Sequence, residues 1–313
     1  MPAVITRGAF SAKAFGFGAS TGIPAGTVGI FALGCASGRS TTRDKYTFAS
    51  DTNGSATSAS AASYLGSAAG NSTRGIFALG CASGAIVATR NKYTYACDTN
   101  GSAAAASAAS YFGSATGNST RGIFTLGYIS CVSSIRNKYT YASDTSGSAT
   151  ASSAASAEGS AAGNSTRGIF ALGDSGVIVA TRNKYTYACD TNGSATAASA
   201  ASHNGSAAGN STRGIFALGR TPAAPSTTRN KYTYACDTNG SAAAASAASS
   251  CGSAAAGNST RGIFALGFVP GVGASAERDK YTYACDTNGT ATASSAASRY
   301  GSAASNGIAC VNV

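Results

Sequence analysis

One phrase, repeated six times, restricts this chain more than any other feature. Gly-Ile-Phe-Ala-Leu-Gly begins at Gly29, Gly75, Gly122, Gly168, Gly214 and Gly262, with Thr125 replacing Ala in the third copy. The spacings are 46, 47, 46, 46 and 48 residues. A second phrase, Arg-Asn/Asp-Lys-Tyr-Thr-Tyr/Phe, begins at Arg43, Arg90, Arg136, Arg182, Arg229 and Arg278 and runs into Asp-Thr-Asn-Gly, with Ser146 for Asn in the third copy. Six near-identical units of about 47 residues thus fill most of the chain. A period of this size implies a solenoid, a propeller or an array, whose units bury their apolar faces against one another.

Each unit is expected to hold four short strands. The first is a Gly-Ser-Ala-Ala-Gly phrase, as at Gly66 to Gly70, followed by an Asn-Ser-Thr-Arg turn. The second is Gly75 to Gly80, and a variable loop follows it. The third, Arg90 to Cys97, is rich in Tyr and Thr, which suit a pleated surface. Asp98-Thr99-Asn100-Gly101 signals a hairpin, since Asn-Gly accepts the positive φ of a type I′ turn, and Ser102 to Ser110 is expected as the fourth strand. Four strands in each of six units is the arithmetic of a six-bladed, all-β propeller. Alanine-rich fourth strands leave a turn-and-helix solenoid as the competing architecture. Against it, those segments carry no large apolar residue that could dock a helix face.

The order of a small-residue strand, a hydrophobic strand ending in Gly, a loop and an Asn-x-Tyr-x-Tyr strand resembles kelch repeats. It is also similar to the kelch-like repeats of bacteriophage tail-fibre and other virion proteins, which share phrases of the Ser-Thr-Arg-Gly-Ile-Phe type. The resemblance covers about 275 residues. It departs from kelch proper in a single Gly after the second strand, as at Gly80-Cys81, and in the absence of Trp. It implies a kelch-like β-propeller and a structural or binding role in a virion or tail fibre.

The two ends are expected to share one blade. The first unit begins at its second strand, at Gly29, and the tail carries an unmatched first-strand phrase, Gly301-Ser302-Ala303-Ala304. Joining them would remove exposed sheet edges. Residues 29–313 are therefore read as the propeller, and residues 1–28 as an N-terminal arm or attachment segment that would contact other virion proteins.

Composition excludes much chemistry. One His cannot build a multi-histidine metal site, and no nucleophile motif accompanies it. Nine Cys without a CxxC pair argue against a disulfide framework or a zinc site. Cys97, Cys189, Cys236 and Cys285 share one repeat position with Ser50 and Ser143, and are read as small packing residues. Asp-Thr-Asn-Gly lacks the alternating ligands of a calcium loop. No enzyme activity, catalytic residue, metal or cofactor is expected. No apolar run is long enough for a membrane-spanning helix, so no membrane insertion is expected. The net charge of +11 arises from the repeats: five Arg before the second strand, six Arg and six Lys opening the third, and six turn Asp. Arg74 is expected beside Asp98, and the Arg-x-Lys pairs are expected to form a basic ring for anionic glycans or phosphates. Nucleic acid is not expected as a partner, since no stacking aromatics accompany the charge in a known pattern.

The units differ mainly in two places. One is the loop between the second and third strands: Cys35 to Thr42, Cys81 to Thr89, Tyr128 to Ile135, Asp174 to Thr181, Arg220 to Thr228 and Phe268 to Glu277. The other is a dipeptide before the first strand: Tyr64-Leu65, Tyr111-Phe112, Ala157-Glu158, His203-Asn204, Ser250-Cys251 and Arg299-Tyr300. In an up-and-down blade both emerge on the same face, and loops on a rigid frame commonly carry binding. Drift of exposed loops would produce the same pattern. Tyr64, Tyr111, Phe112, Tyr128, His203, Arg220, Phe268, Arg299 and Tyr300 are the expected binding residues. The expected function is non-enzymatic: a phage virion or tail-fibre component, located in the virion, binding a host cell-surface glycan or protein. The alternative is a cytoplasmic kelch-like protein-interaction scaffold. Assembly as a homo-oligomer is compatible with either.

Overall fold

The computed structural model describes residues 26–35, 38–251 and 254–307, and no helix occurs among them. The described chain forms six four-stranded antiparallel sheets. The second sheet shows the pattern, with an inner strand Ser67–Gly70, then Arg74–Ala78, Arg90–Thr94 and an outer strand Thr99–Ala103. The first sheet draws on both ends of the chain: Val28–Ala32 pairs with Ser302–Ser305 on one side and Arg43–Thr47 on the other. The expected arm, residues 1–28, lies outside the described residues as far as residue 25. The inner strands Ser67–Gly70, Ala115–Gly117, Ser160–Gly163, Ser206–Gly209, Ala255–Gly257 and Ser302–Ser305 are neighbours in succession, and the last also contacts the first. This arrangement is compatible with a propeller-like fold.

Strand periodicity explains the repeated Ile-Phe pair. Successive side chains point to opposite faces, so Ile76 packs forward against Phe124, Tyr139 and Tyr141 of the third sheet. Phe77 packs backward against Val28 and Ile30 of the first. The sixth sheet meets the first in the same way, with Ile263 against Phe31, Tyr46 and Phe48. Small residues stand where sheets approach most closely. A Cβ at Gly75 would lie 2.9 Å from the Tyr95 hydroxyl and 3.1 Å from the Ala304 methyl group.

The hairpin between the third and fourth strands differs from its expected form. The turn is Tyr95 to Asp98, and the fourth strand runs Thr99–Ala103, not Ser102 to Ser110. Asn100 and Gly101 lie inside that strand, opposite Tyr93 and Lys92. Asp98, with φ of 48°, takes the left-handed position in place of Gly. Its carboxylate accepts a 2.6 Å bond from the Tyr93 hydroxyl. The four cysteines of this turn are exposed rather than packed, and the eight described cysteines are free thiols.

The constant charges lie between the sheets. Arg43 is 1% exposed. Its guanidinium sits 4.5 Å from the Phe77 ring centroid and donates to Asn100 Oδ1 at 2.8 Å and Asn91 Oδ1 at 3.2 Å, all on the next sheet. The stack recurs as Arg90 on Phe124, Arg136 on Phe170, Arg182 on Phe216, Arg229 on Phe264 and Arg278 on Phe31. Burial lowers the Arg43 pKa to about 10, which still leaves it charged at neutral pH. In the third unit Ser146 accepts the bond that Asn100 accepts elsewhere. Two interfaces differ in charge. Asp279 and Asp44 replace the acceptor Asn, so Arg229–Asp279 at 2.7 Å and Arg278–Asp44 at 2.9 Å are buried ion pairs flanking the sixth sheet.

Lysines complete the series. Lys45–Asp98 at 3.0 Å, Lys138–Asp190 at 2.8 Å and Lys184–Asp237 at 2.7 Å each join one sheet to the turn of the next. Lys92–Asp144, Lys231–Asp286 and Lys280–Asp51 do the same, the last joining the sixth sheet to the first. The expected Arg74–Asp98 pair is therefore not formed: Arg74 instead donates to the Tyr141 carbonyl at 2.8 Å. The expected basic ring is absent for the same reason, since its Arg are buried and its Lys are paired. Burial alone would raise the Asp98 carboxyl. Bonds from Tyr93, the Thr57 amide and Lys45 outweigh it and hold the pKa at about 2. Asp144 and Asp286 are likewise held at about 2, and Asp51, Asp190 and Asp237 are also held below the usual carboxylate range.

Tyr95→Phe should change stability by less than about 0.5 kcal/mol in chemical denaturation, since its hydroxyl has no hydrogen-bond partner and Phe48 fills the same place in the first unit. Tyr93→Phe should cost about 1–2 kcal/mol, since it strips a donor from Asp98. Arg182→Met should cost about 3 kcal/mol by leaving Asn239 Oδ1 without the Arg donor and Asn230 Oδ1 with the Ser199 amide alone, and Lys184→Met, at a half-exposed pair, less than about 1 kcal/mol. The six depressed aspartates contribute stability that is fully present above the unfolded-state pKa of about 3.9 and is lost as pH falls through their folded-state values, about 2 for Asp98, Asp144 and Asp286 and lower for Asp51, Asp190 and Asp237. The melting temperature should therefore hold down to about pH 5 and fall steeply between about pH 4 and pH 2.

Candidate functional site

With the repeated charges buried or paired, chemistry is left to the two variable segments. The structure brings them together. Tyr111 pairs with Tyr128 by backbone hydrogen bonds, as do His203 with Arg220, Ala157 with Asp174 and Ser250 with Phe268. Arg299 pairs with Cys35 in the same way, and Tyr64 with Cys81 in a short extra strand. The dipeptide before each inner strand thus lies against the start of its own variable loop. Both variable segments occupy one end of the sheets.

Beneath them is a space of about 100 Å³ bounded by all six inner strands. Its walls are Gly, Ser and Ala, as at Gly66, Ser67 and Ala68. A Cβ at Gly66 would come within 2.0 Å of the Ala78 carbonyl oxygen, so glycine is required there. A second space of about 100 Å³ continues below, lined by Ala69, Thr116, Ala162 and Ala208 among others.

The second residue of each dipeptide forms a collar around the mouth of this cavity. Amide-to-carbonyl hydrogen bonds run from Tyr300 to Cys251 at 2.9 Å, Leu65 to Tyr300 at 3.1 Å and Phe112 to Leu65 at 2.9 Å. They continue from Glu158 to Phe112 at 2.9 Å and Asn204 to Glu158 at 2.7 Å. All six collar residues have positive φ: Leu65 60°, Phe112 56°, Glu158 58°, Asn204 54°, Cys251 62° and Tyr300 57°. Five of the six are side chains for which the left-handed region costs about 1–2 kcal/mol each, Asn being the tolerant exception.

The mouth has two unlike halves. On one side Phe112 and Tyr300 meet edge to face at 5.8 Å, Tyr111 stacks on Tyr128 at 5.3 Å and Tyr64 lies 6.3 Å from Tyr300. Arg299 lies over both Phe268 and Tyr300, at 5.8 and 5.6 Å. Burial, assisted by Cys251, pushes the Tyr300 hydroxyl up to about 12. On the other side Glu158 Oε2 contacts His203 Nδ1 at 2.5 Å and accepts from Asn204 Nδ2 at 2.9 Å. Tyr128 lies between the halves. Burial raises its pKa, with the Asp174 and Glu158 carboxylates adding to the effect.

All nine expected binding residues therefore lie at the mouth end. Tyr64, Tyr111, Phe112, Tyr128, Phe268, Arg299 and Tyr300 form one chain of ring and cation contacts, and His203 and Arg220 sit with Glu158. Leu65, Glu158 and Asn204 were not among them, although they occupy the same dipeptide position as Phe112 and Tyr300. That position was the signal available. The exposed large apolar side chains among the described residues, Ile86, Ile135, Val177 and Val272, also lie in the variable loops. No group of three or more His, Cys, Asp or Glu among the described residues could hold a metal ion.

No family model matches the chain, and no curated protein matches it. The solved structure of YjhT is similar in fold, aligning over 86% of this chain and 98% of its own with a TM-score of 0.67 and 9% sequence identity. This likeness bears on the fold alone.

Proposed function

We propose that the six sheets are the blades of a closed, six-bladed, kelch-like propeller. In this reading the propeller is a non-enzymatic binding protein that presents its variable mouth face to a partner. The pairing of Val28–Ala32 with Ser302–Ser305 supports closure by the two ends, as do the contacts of Arg278 and Lys280 with the first sheet. One observation carries the binding role. The residues constant among units are consumed by packing and inter-sheet bonds, whereas the varying ones converge on a single surface that also holds the exposed apolar side chains. Aromatic and Arg side chains dominate one half of that surface, and both are favoured at binding hot spots.

The partner assigned is a host cell-surface glycan or protein, and the setting a phage virion or tail fibre. That assignment rests on the resemblance of the Ser-Thr-Arg-Gly-Ile-Phe repeats. On density-gradient fractionation of a lysate that produces the protein, the chain should band with virus particles. A chain that stays soluble in complex with a cellular protein would instead identify an interaction scaffold. Tyr111→Ala/Tyr128→Ala/Phe268→Ala should reduce adsorption of the purified protein to host cells about tenfold or more without lowering its melting temperature. Normal adsorption by this variant would refute the mouth-face reading.

A further inference from the structure

We propose that the collar is a small-ligand site for a neutral saccharide ring, or a polyol of that size, seated in the axial cavity. This rests on the mouth end being the binding face, and it names the ligand class and the seat.

Backbone strain is the first support. The chain holds Leu65, Phe112 and Tyr300 in a left-handed conformation that bulky residues rarely adopt. The collar hydrogen bonds are backbone to backbone, so glycine would make them without strain. The fold therefore does not require these side chains, and strain kept at a cavity mouth points to a use for them there.

The distribution of side chains gives the class. Tyr300, Leu65 and Phe112 belong to the first three sheets, and Glu158 and Asn204 to the fourth and fifth, across the mouth. A pyranose has the matching asymmetry, with C–H faces that stack on aromatic rings and a rim of hydroxyls that pair with carboxylates and amides. A carboxylate and an amide, those of Glu158 and Asn204, belong to residues that line the axial cavity.

Charge excludes the competing classes. Glu158 at the mouth and Asp174 nearby disfavour an anion. The Arg299 guanidinium over Tyr300 disfavours a cation at the rings.

The test is saturation-transfer NMR on the full chain with glucose, galactose, mannose and N-acetylglucosamine in turn, and with tetramethylammonium and sulfate as charged probes. At least one pyranose should receive saturation. Its affinity should fall about tenfold or more in Glu158→Gln, which loses a charged acceptor. It should fall as far in Phe112→Gly and Tyr300→Gly, while the melting temperature of those two stays level or rises as strain is released. The proposal is overturned if no pyranose binds, if a charged probe binds in preference, or if Glu158→Gln binds as well as the parent. Should the collar variants adsorb to host cells normally while Tyr111→Ala/Tyr128→Ala/Phe268→Ala does not, the mouth-face reading survives and the collar proposal falls.

Discussion

The stack of a buried arginine on the next sheet's phenylalanine is the interaction on which the rest depends. A four-stranded sheet of this composition cannot bury its own faces, and its strands are only about five residues long. Each guanidinium therefore spans an interface. It offers its face to an aromatic ring and its N–H groups to acceptors on two strands of the neighbour. Desolvated cation–π contacts are worth about 2 kcal/mol, and the same Arg also fixes the register between sheets, because its two acceptors sit on different strands. In the Arg-Asn/Asp-Lys-Tyr-Thr-Tyr/Phe phrase, the first four positions each have a separate partner across or within an interface. Arg and Lys reach forward to the next sheet, Asn accepts from the preceding sheet's Arg, and the first Tyr anchors the turn Asp.

The architecture was legible in the sequence because a period must be satisfied in every copy. The six units, their four strands and the matching of the two ends all follow from phrases that cannot repeat by accident. The charge partners were not legible. Spacing within a unit places Arg74 near Asp98 on one hairpin, but the relevant partners lie one unit away, and nothing in the order of residues distinguishes a neighbour in the sheet from a neighbour in the next. The turn was misplaced for a related reason. Asn100-Gly101 carries a strong local turn preference, yet Asp98 supplies the left-handed residue and Asn100 is needed inside the strand as an acceptor for Arg43. Collar residues hid behind their diversity. Leu, Phe, Glu, Cys and Tyr give no hint of a positive φ, which only the repeat position reveals.

The division of labour has a thermodynamic logic. Each inter-sheet contact is made in every unit, so a change in one copy removes a fraction of the total while the remainder holds. The strained collar and exposed apolar loops sit at the end where the units vary, while the repeated inter-sheet bonds stay constant. The two interfaces with Asp in place of Asn flank the sixth sheet, beside the sheet built from both ends of the chain.

The central claim is that the sheet shared by the two ends is held as firmly as the others. Native-state hydrogen exchange tests it most directly. The account predicts that backbone-bonded amides of Val28–Ala32 and Ser302–Ser305 open with the same free energy as those of Arg167–Ala171, in one global unfolding event. Exchange of the shared sheet at a markedly lower free energy, with the other five still protected, would contradict it.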